Sequence, residues 1–142
     1  MIINHFPYRP NISSSIGRLG SLSYLRLSVN ILTGTIPTAI GFLTSLWYLD
    51  QSFNSLVGTI PSVFGLMSSL YYLDLTYNSL TGTVPSQLCL LTNLQAVYIY
   101  HNNSLDCSNV CFYGDTWNCV ASLSPLFYPT TSPTMEPLGN CL

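Results

Sequence analysis

The sequence predicts a right-handed solenoid of the α/β repeat class. In this fold a short parallel sheet lies on the concave face, and loops and short 3-10 or helical turns form most of the convex side. The main observation is a period of 24 residues, because segments 16–39, 40–63 and 64–87 align in register without a gap. Three columns recur in phase: Asn30, Asn54 and Asn78; Gly34, Gly58 and Gly82; Pro37, Pro61 and Pro85. A fixed period of this length indicates a stack of similar units.

Each unit contains a short strand with alternating side chains. In the first unit Leu25 and Leu27 alternate with polar or aromatic neighbours, which is the period of two expected of a strand. Equivalent strands of neighbouring units are expected to pair as a parallel sheet, about 4.8 Å apart. One unit cannot bury its apolar face alone, so the leucines of adjacent units are expected to share one core.

An asparagine follows each strand. The column consists of Asn30, Asn54, Asn78 and Asn102. Because a buried side-chain amide must find hydrogen-bond partners, we expect a ladder of bonds from these amides to the backbone of their own turn and of the adjacent turn. The glycine column is expected to allow a bend, and the prolines to occupy positions where no backbone donor is required.

The full unit reads L-x-x-L-x-L-x-x-N-x-L-x-G-x-I-P. In the third unit these positions are Leu70, Leu73, Leu75, Asn78, Leu80, Gly82, Val84 and Pro85. This pattern resembles the plant-type extracellular leucine-rich repeat, over about two thirds of the chain. The resemblance implies a scaffold like the ectodomains of receptor-like proteins, whose concave face usually binds the ligand.

The repeat pattern also predicts the domain organisation. We expect a degenerate N-terminal repeat at 1–15, four repeats at 16–39, 40–63, 64–87 and 88–111, a cysteine-bearing C-terminal cap at 112–122, and a Ser/Thr/Pro-rich tail at 123–142. Arrays of the plant type usually begin with a cysteine-bearing cap, and its absence favours a fragment of a longer protein. No leader of the signal type is visible at Met1.

Composition excludes two classes of partner. Charged residues make up only 6% of the chain, the net charge is −2, and the sequence has no lysine. Without a basic stripe there is no electrostatic basis for nucleic-acid binding. No apolar run is long enough to predict a membrane span within this segment.

The cysteines indicate an oxidising compartment, and therefore an extracellular or cell-surface location. The disulfide candidates are Cys89, Cys107, Cys111 and Cys119. Sequence alone leaves their pairing open; the spacing weakly favours Cys89 with Cys111 and Cys107 with Cys119.

No C-x-x-C or histidine pair predicts a metal site. Two glycosylation sequons occur, and Asn11 is the candidate acceptor because Asn102 falls in the buried ladder column.

No catalytic constellation is recognisable, so we predict neither an enzyme nor a bound cofactor. The two histidines, His5 and His101, fall near opposite ends of the stack, too far apart for one acid–base pair. Asp50 and Asp74 occupy one column in adjacent strands, but the pattern favours a solvated carboxylate ladder partly neutralised by Arg26 over a glycosidase pair.

The outward strand positions form the candidate binding face. Its aromatic candidates are Trp47, Tyr71, Tyr98 and Tyr100, supported by Tyr48 and Tyr72, and its polar candidates are Arg26, Asp50 and Asp74. Tyrosine and tryptophan offer rigid contact area with a polar group, as in interface hot spots. The alternative is that these side chains only pack along the sheet.

The leading hypothesis is a non-catalytic module that binds a protein, a peptide or a cell-wall glycan on its concave face. One alternative is a purely structural segment of a longer array. A weaker one is ice binding through the threonine column Thr35, Thr59 and Thr83, which a thermal-hysteresis assay would test; Val57 interrupts the second rank that such a surface needs.

Gln51 departs from the inward column that otherwise holds Leu27, Leu75 and Ile99. An unpaired buried amide costs about 1–3 kcal/mol. We therefore predict that Gln51 finds a backbone partner or a buried water.

Overall fold

The computed structural model describes residues 10–102, 104–107 and 117–118, the last two by their backbone only. Its elements repeat in the order helix, strand, strand. The 3-10 helices are η1 (Ser14–Arg18), η2 (Thr38–Phe42), η3 (Ser62–Leu66) and η4 (Ser86–Leu90). The strands are β1 (Tyr24–Arg26), β2 (Thr33–Thr35), β3 (Tyr48–Asp50), β4 (Ser55–Gly58), β5 (Tyr72–Asp74), β6 (Ser79–Thr83), β7 (Ala96–Tyr98), β8 (Ser104–Asp106) and β9 (Trp117–Asn118).

The odd-numbered strands form one parallel sheet, in the order β1–β3–β5–β7–β9, which we call the main sheet. Its register follows the repeat, since Leu25 pairs with Leu49, Leu49 with Leu73, and Leu73 with Val97. From β1 to β7, each residue of one strand therefore lies beside its equivalent 24 positions later along the chain. The predicted solenoid with a stacked parallel sheet is confirmed.

The core lies between the main sheet and the 3-10 helices. Inward leucines of consecutive units, such as Leu49 and Leu73, are fully buried together with Phe64 and Leu88 from the helical side. Each such side chain contributes about 1.5–3 kcal/mol by leaving water. Because each unit contacts chiefly its neighbours, this burial couples the units in sequence.

The asparagine column bonds to backbone groups of two consecutive turns. Asn78 Nδ2 donates to the carbonyls of Leu75 (3.1 Å) and Thr76 (3.2 Å) in its own turn and of Gln51 (3.0 Å) in the preceding one. Its Oδ1 accepts the N–H of Leu56 at 3.0 Å. Asn54 and Asn102 also bond to both turns, whereas Asn30 is exposed and donates within its own turn.

The residue before each asparagine lies in the left-handed region. Val29, Phe53, Tyr77 and His101 have φ between 52° and 57°. At this column the chain has already left the strand, so these residues do not belong to the outward strand positions. A bulky residue in this region is strained, and the turn is held by hydrogen bonds between adjacent units, such as Phe53 N–H to the Thr76 carbonyl at 3.0 Å.

The even-numbered strands form a second parallel sheet, in the order β2–β4–β6–β8. The sequence predicted loops and 3-10 turns here; the 3-10 turns are present, but the extended segments also pair between units. Gly34 and Gly58 bend the chain with φ of 73° and 80°. A Cβ built on Gly58 would lie 3.0 Å from Thr35 Cγ2, so glycine also lets the threonine of the preceding unit pack closely.

The structure describes only part of the two ends of the repeat array. Asn11 makes a parallel bridge with Thr33, and Ile12 is buried in the core, so residues 10–12 stack onto the first full unit. Residues 1–9, the 123–142 tail and all of 112–122 except β9 lie outside the described residues. Cys89 and Cys107 are both disulfide-bonded. Cys111 and Cys119 lie outside the described residues, so the predicted pairings stay predictions.

Gln51 does not find the backbone partner predicted for it. The side chain has no exposed surface, and neither Oε1 nor Nε2 has a hydrogen-bond partner among the described residues. Among the described residues the amide is therefore an unpaired polar group in the core, whereas the buried water stays a prediction.

We expect Gln51→Leu to raise the free energy of unfolding by about 1–3 kcal/mol, because leucine fills a similar volume without an unpaired amide. The reciprocal change, Leu75→Gln, places an amide at the equivalent position and should destabilise by a similar amount. Urea denaturation of both variants and the wild type checks this. A Gln51→Leu protein less stable than the wild type would contradict it.

Candidate binding face on the main sheet

A column of tyrosines forms a stacked ladder across the main sheet. The ring centroids of Tyr24 and Tyr48 lie 4.3 Å apart with an interplanar angle of 8°, and those of Tyr48 and Tyr72 lie 4.4 Å apart at 7°. The spacing follows from the register, because equivalent residues of neighbouring strands are about 4.8 Å apart. The ring of Tyr72 then approaches Tyr98 at 5.5 Å. The rings therefore support one another along the face.

Trp47 and Tyr71 lie at the entry to the strands and remain substantially exposed, at 45% and 44%. The Trp47 ring is tilted against Tyr24 at 5.9 Å and meets Tyr48 edge-on at 5.6 Å. These contacts hold the indole without covering it. Trp47 is thus held against the tyrosine ladder, and Tyr71 lies at the equivalent position before the next strand.

A second aromatic row follows the strands. Phe53 stacks on Tyr77 at 4.2 Å, and Tyr77 stacks on His101 at 4.2 Å. Tyr100 meets Tyr77 edge-on at 6.3 Å and Tyr98 at 6.4 Å. From the sequence, Tyr100 was a binding candidate, but Phe53, Tyr77 and His101 were not, because an aromatic residue before the asparagine is common in repeats of this kind. The 24-residue spacing of Phe53, Tyr77 and His101 was the sequence signal that could have identified this row.

The two column carboxylates differ in their environments. Asp50 is only 5% exposed: Oδ1 accepts from Ser52 N–H (3.1 Å) and Ser52 Oγ (2.7 Å), and Oδ2 lies 3.3 Å from Arg26 Nε. The expectation of a solvated ladder is therefore wrong for Asp50, because its partners compensate for burial. The carboxylate of Asp50 is therefore occupied by Ser52 and Arg26.

Asp74 is half-buried and repeats only part of this arrangement. Oδ1 again accepts from the residue two positions later, Thr76 N–H at 2.9 Å and Thr76 Oγ1 at 2.7 Å. Oδ2 instead accepts from the Tyr72 hydroxyl at 3.3 Å. No cation lies within ion-pairing distance of Asp74 in the described part of the chain.

The phenols near these carboxylates stay protonated at neutral pH. Burial, and then the charge of Asp74, raises the pKa of Tyr72 far above its ordinary value. Burial, followed by the same carboxylate, raises the pKa of Tyr100, and burial followed by Asp50 raises that of Tyr48. Because both causes disfavour the phenolate, the face offers neutral hydroxyl donors.

Within residues 10–102 and 104–107, no group of three or more histidine, cysteine, aspartate or glutamate side chains could hold a metal ion. None of the helices in the described part of the chain is long and apolar enough to cross a membrane. An open groove on the second sheet is lined by the threonine column Thr35, Thr59 and Thr83 and the adjoining prolines.

The pattern of the leucine-rich repeat family matches residues 21–43 and 69–91. No curated protein sequence matches the chain at a significant level. Similar solved structures include the plant peptide hormone receptor RGFR1 in complex with RGF2, which is 38% identical, has a TM-score of 0.66, and aligns over 67% of this chain and 15% of that one.

The ectodomain of the membrane receptor kinase GASSHO1/SCHENGEN3 from Arabidopsis thaliana, in complex with CASPARIAN STRIP INTEGRITY FACTOR 2, is 41% identical with a TM-score of 0.65 over 67% of this chain and 11% of that one. A plant ice-binding protein is 36% identical with a TM-score of 0.64 over 67% of this chain and 31% of that one. The chain therefore spans less than a third of the length of these three proteins.

Proposed function

Because this chain is a leucine-rich repeat protein similar to plant receptor ectodomains, we propose that it is a non-catalytic module whose main sheet binds a peptide or a protein segment. The observation that carries the proposal is the ordered but uncovered aromatic face. Trp47 keeps nearly half of its surface exposed while the rings of Tyr24 and Tyr48 fix its position, and Tyr71 is exposed to a similar degree. Rigid exposed aromatic side chains lose little entropy on binding, which is why interface hot spots favour them.

The similar structures support this ligand class. Two of them are receptors solved with peptide hormones or factors bound. We propose that this chain likewise acts as part of a secreted or cell-surface recognition protein, in an extracellular location. A cell-wall glycan is the other ligand that a tyrosine and tryptophan platform could bind, and it remains a weaker candidate.

The sequon at Asn11 suits glycosylation better than the one at Asn102. Asn11 is exposed. Asn102 is buried, and its Nδ2 donates to the carbonyls of Leu75 and Ile99. A glycan on Asn102 would remove this ladder, so we propose Asn11 as the modified position.

We expect the triple change of Trp47, Tyr71 and Tyr98 to alanine to weaken binding of main-sheet ligands by at least about 100-fold, since each hot-spot aromatic contributes about 2 kcal/mol or more. The ligands are peptides selected from a random display library on the wild-type chain. Affinities of the purified variants, measured by biolayer interferometry, check this. Phe42→Ala is the matched control, because Phe42 is an exposed aromatic at the end of η2, away from the main sheet.

If the triple variant binds the selected peptides as tightly as Phe42→Ala does, the main sheet is not the binding face. If the wild-type chain selects no peptide at all, the structural-segment alternative is favoured. Circular dichroism and thermal melting must first show that the triple variant is folded.

Ice binding remains a second candidate, on one observation. The threonine column lies along an open groove of the second sheet, and one similar structure is a plant ice-binding protein. The sheet register weakens this candidate, because the exposed Val57 lies beside Thr35 and Ser79 and interrupts the hydroxyl array. A thermal-hysteresis assay distinguishes the two functions.

A further inference from the structure

Asp74 is a carboxylate in the middle of the main sheet with no cation to neutralise it in the described part of the chain. It lies on β5, beside Asp50 on one side and Tyr98 on the other. Oδ1 is held by the N–H and hydroxyl of Thr76, which fixes the carboxylate plane. Among the described residues, Oδ2 accepts one hydrogen bond, from the Tyr72 hydroxyl at 3.3 Å. An oriented and partly desolvated anion is thus left open to a ligand.

Asp50 is the equivalent carboxylate one repeat earlier, and it binds a guanidinium group of this chain. Asp50, one repeat earlier, has the same two bonds from the residue two positions later. Its Oδ2 is paired with the guanidinium of Arg26 at 3.3 Å, and that guanidinium also donates to Ser28 Oγ at 2.9 Å. At Asp74 the column continues with Tyr98, which carries no charge. On the other side, the position that Arg26 fills for Asp50 is occupied for Asp74 by Asp50 itself, so neither strand neighbour of Asp74 supplies a cation.

Aromatic rings border this open position. Tyr72 and Tyr98 lie with their ring centroids 5.5 Å apart, and Tyr98 meets Tyr100 edge-on at 6.4 Å. The charge of Asp74 contributes to the raised pKa of both Tyr72 and Tyr100, so these phenols remain neutral. Neutral tyrosine rings attract a cation to their faces, and a planar guanidinium also stacks on them.

We propose that Asp74, together with the rings of Tyr72, Tyr98 and Tyr100, binds an arginine side chain of the peptide ligand. The inference rests on the proposed function and specifies the residue that the main sheet selects. The carboxylate supplies charge and hydrogen-bond acceptors, while the rings exclude water and stack on the guanidinium. Trp47 and Tyr71 then bind the remainder of the peptide, toward the start of the strands.

The test uses peptides selected from a random display library on the full 142-residue chain. Each arginine of a selected peptide is replaced in turn by citrulline, which keeps the shape and removes the charge. For one arginine we expect the replacement to weaken binding to the wild-type chain by about 10-fold or more, as for hydrogen bonds to charged groups. Against Asp74→Asn the same replacement should change the affinity by less than about twofold.

Asp106→Asn is the control, because it removes the same charge from β8 of the second sheet and should retain full discrimination between arginine and citrulline. The citrulline comparison on the wild-type chain needs no variant to fold. The inference is overturned if the selected peptides lack arginine, if every citrulline peptide binds the wild type equally well, or if Asp74→Asn discriminates as the wild type does. Failure to select any peptide overturns the proposed function as well, whereas peptide binding that is indifferent to Asp74→Asn overturns this inference alone.

Discussion

Replacing Phe64 by alanine is expected to lower the free energy of unfolding by about 3–5 kcal/mol, the range for deleting a fully buried phenylalanine. Phe64 belongs to η3, and its side chain is buried in the core with no exposed surface. The backbone around it is tied to the next unit: a Cβ built on Gly65 would lie 2.7 Å from the Gln87 carbonyl oxygen. Such close packing limits collapse into the cavity, so the cost should lie in the upper part of this range.

The measurement is equilibrium urea denaturation followed by circular dichroism, with Phe42→Ala as the matched control. Phe42 is the last residue of the preceding 3-10 helix, η2, and its side chain is 66% exposed. Its removal should change the unfolding free energy by no more than about 0.5 kcal/mol. Equal destabilisation by the two changes would show that the core does not lie where the structure places it.

Replacing Asn78 by alanine is expected to cost about 3 kcal/mol or more. The change leaves the buried N–H of Leu56 without its acceptor at 3.0 Å and removes the donor shared by three carbonyls of two turns. A buried polar group left without its partner costs about 1–3 kcal/mol. Because the lost bonds join consecutive units, the cooperativity of unfolding should fall as well, and the transition should broaden.

Asn30→Ala is the control for this prediction. Asn30 occupies the same column, but it is exposed, and the described bonds of its side chain are donated within its own turn. Water can replace those bonds, so the expected loss is about 1 kcal/mol or less. The role assigned to the ladder is wrong if the two asparagine variants unfold at the same urea concentration.

Asp50 and Asp74 show where sequence reasoning stops. Both follow the strand leucine in the same L-D pattern, and the column position of Arg26 was visible as well. Which carboxylate the arginine neutralises depends on the register of β1 against β3, and that pairing leaves Asp74 open. The sequence shows that Arg26, Asp50 and Asp74 share one column. Only the contacts in the structure show that Asp50 pairs with Arg26 and that Asp74 is left as an open anion.

The pairing of the second sheet and the ring stacking of the aromatic row after the strands were also beyond the sequence. Segments such as Ser55–Gly58 are short and include glycine, which disfavours strand assignment from composition. They become strands because the stacking already imposed by the leucines brings equivalent backbone groups of neighbouring units together. In the same way, Tyr77 stacks on Phe53 and His101 because the turns repeat, not because an aromatic residue prefers φ near 53°.

By itself the sequence determined the repeat, its length and the inward leucines, because these depend on periodicities of two and 24 residues that the chain displays directly. Only the tertiary structure decided that Gln51 is buried without a partner among the described residues, that Asp50 is satisfied while Asp74 is open, and that the extended turns pair into a second sheet. The physical reason is that hydrogen-bond satisfaction and charge neutralisation are properties of neighbouring units in contact, and these neighbours are about 24 residues apart along the chain.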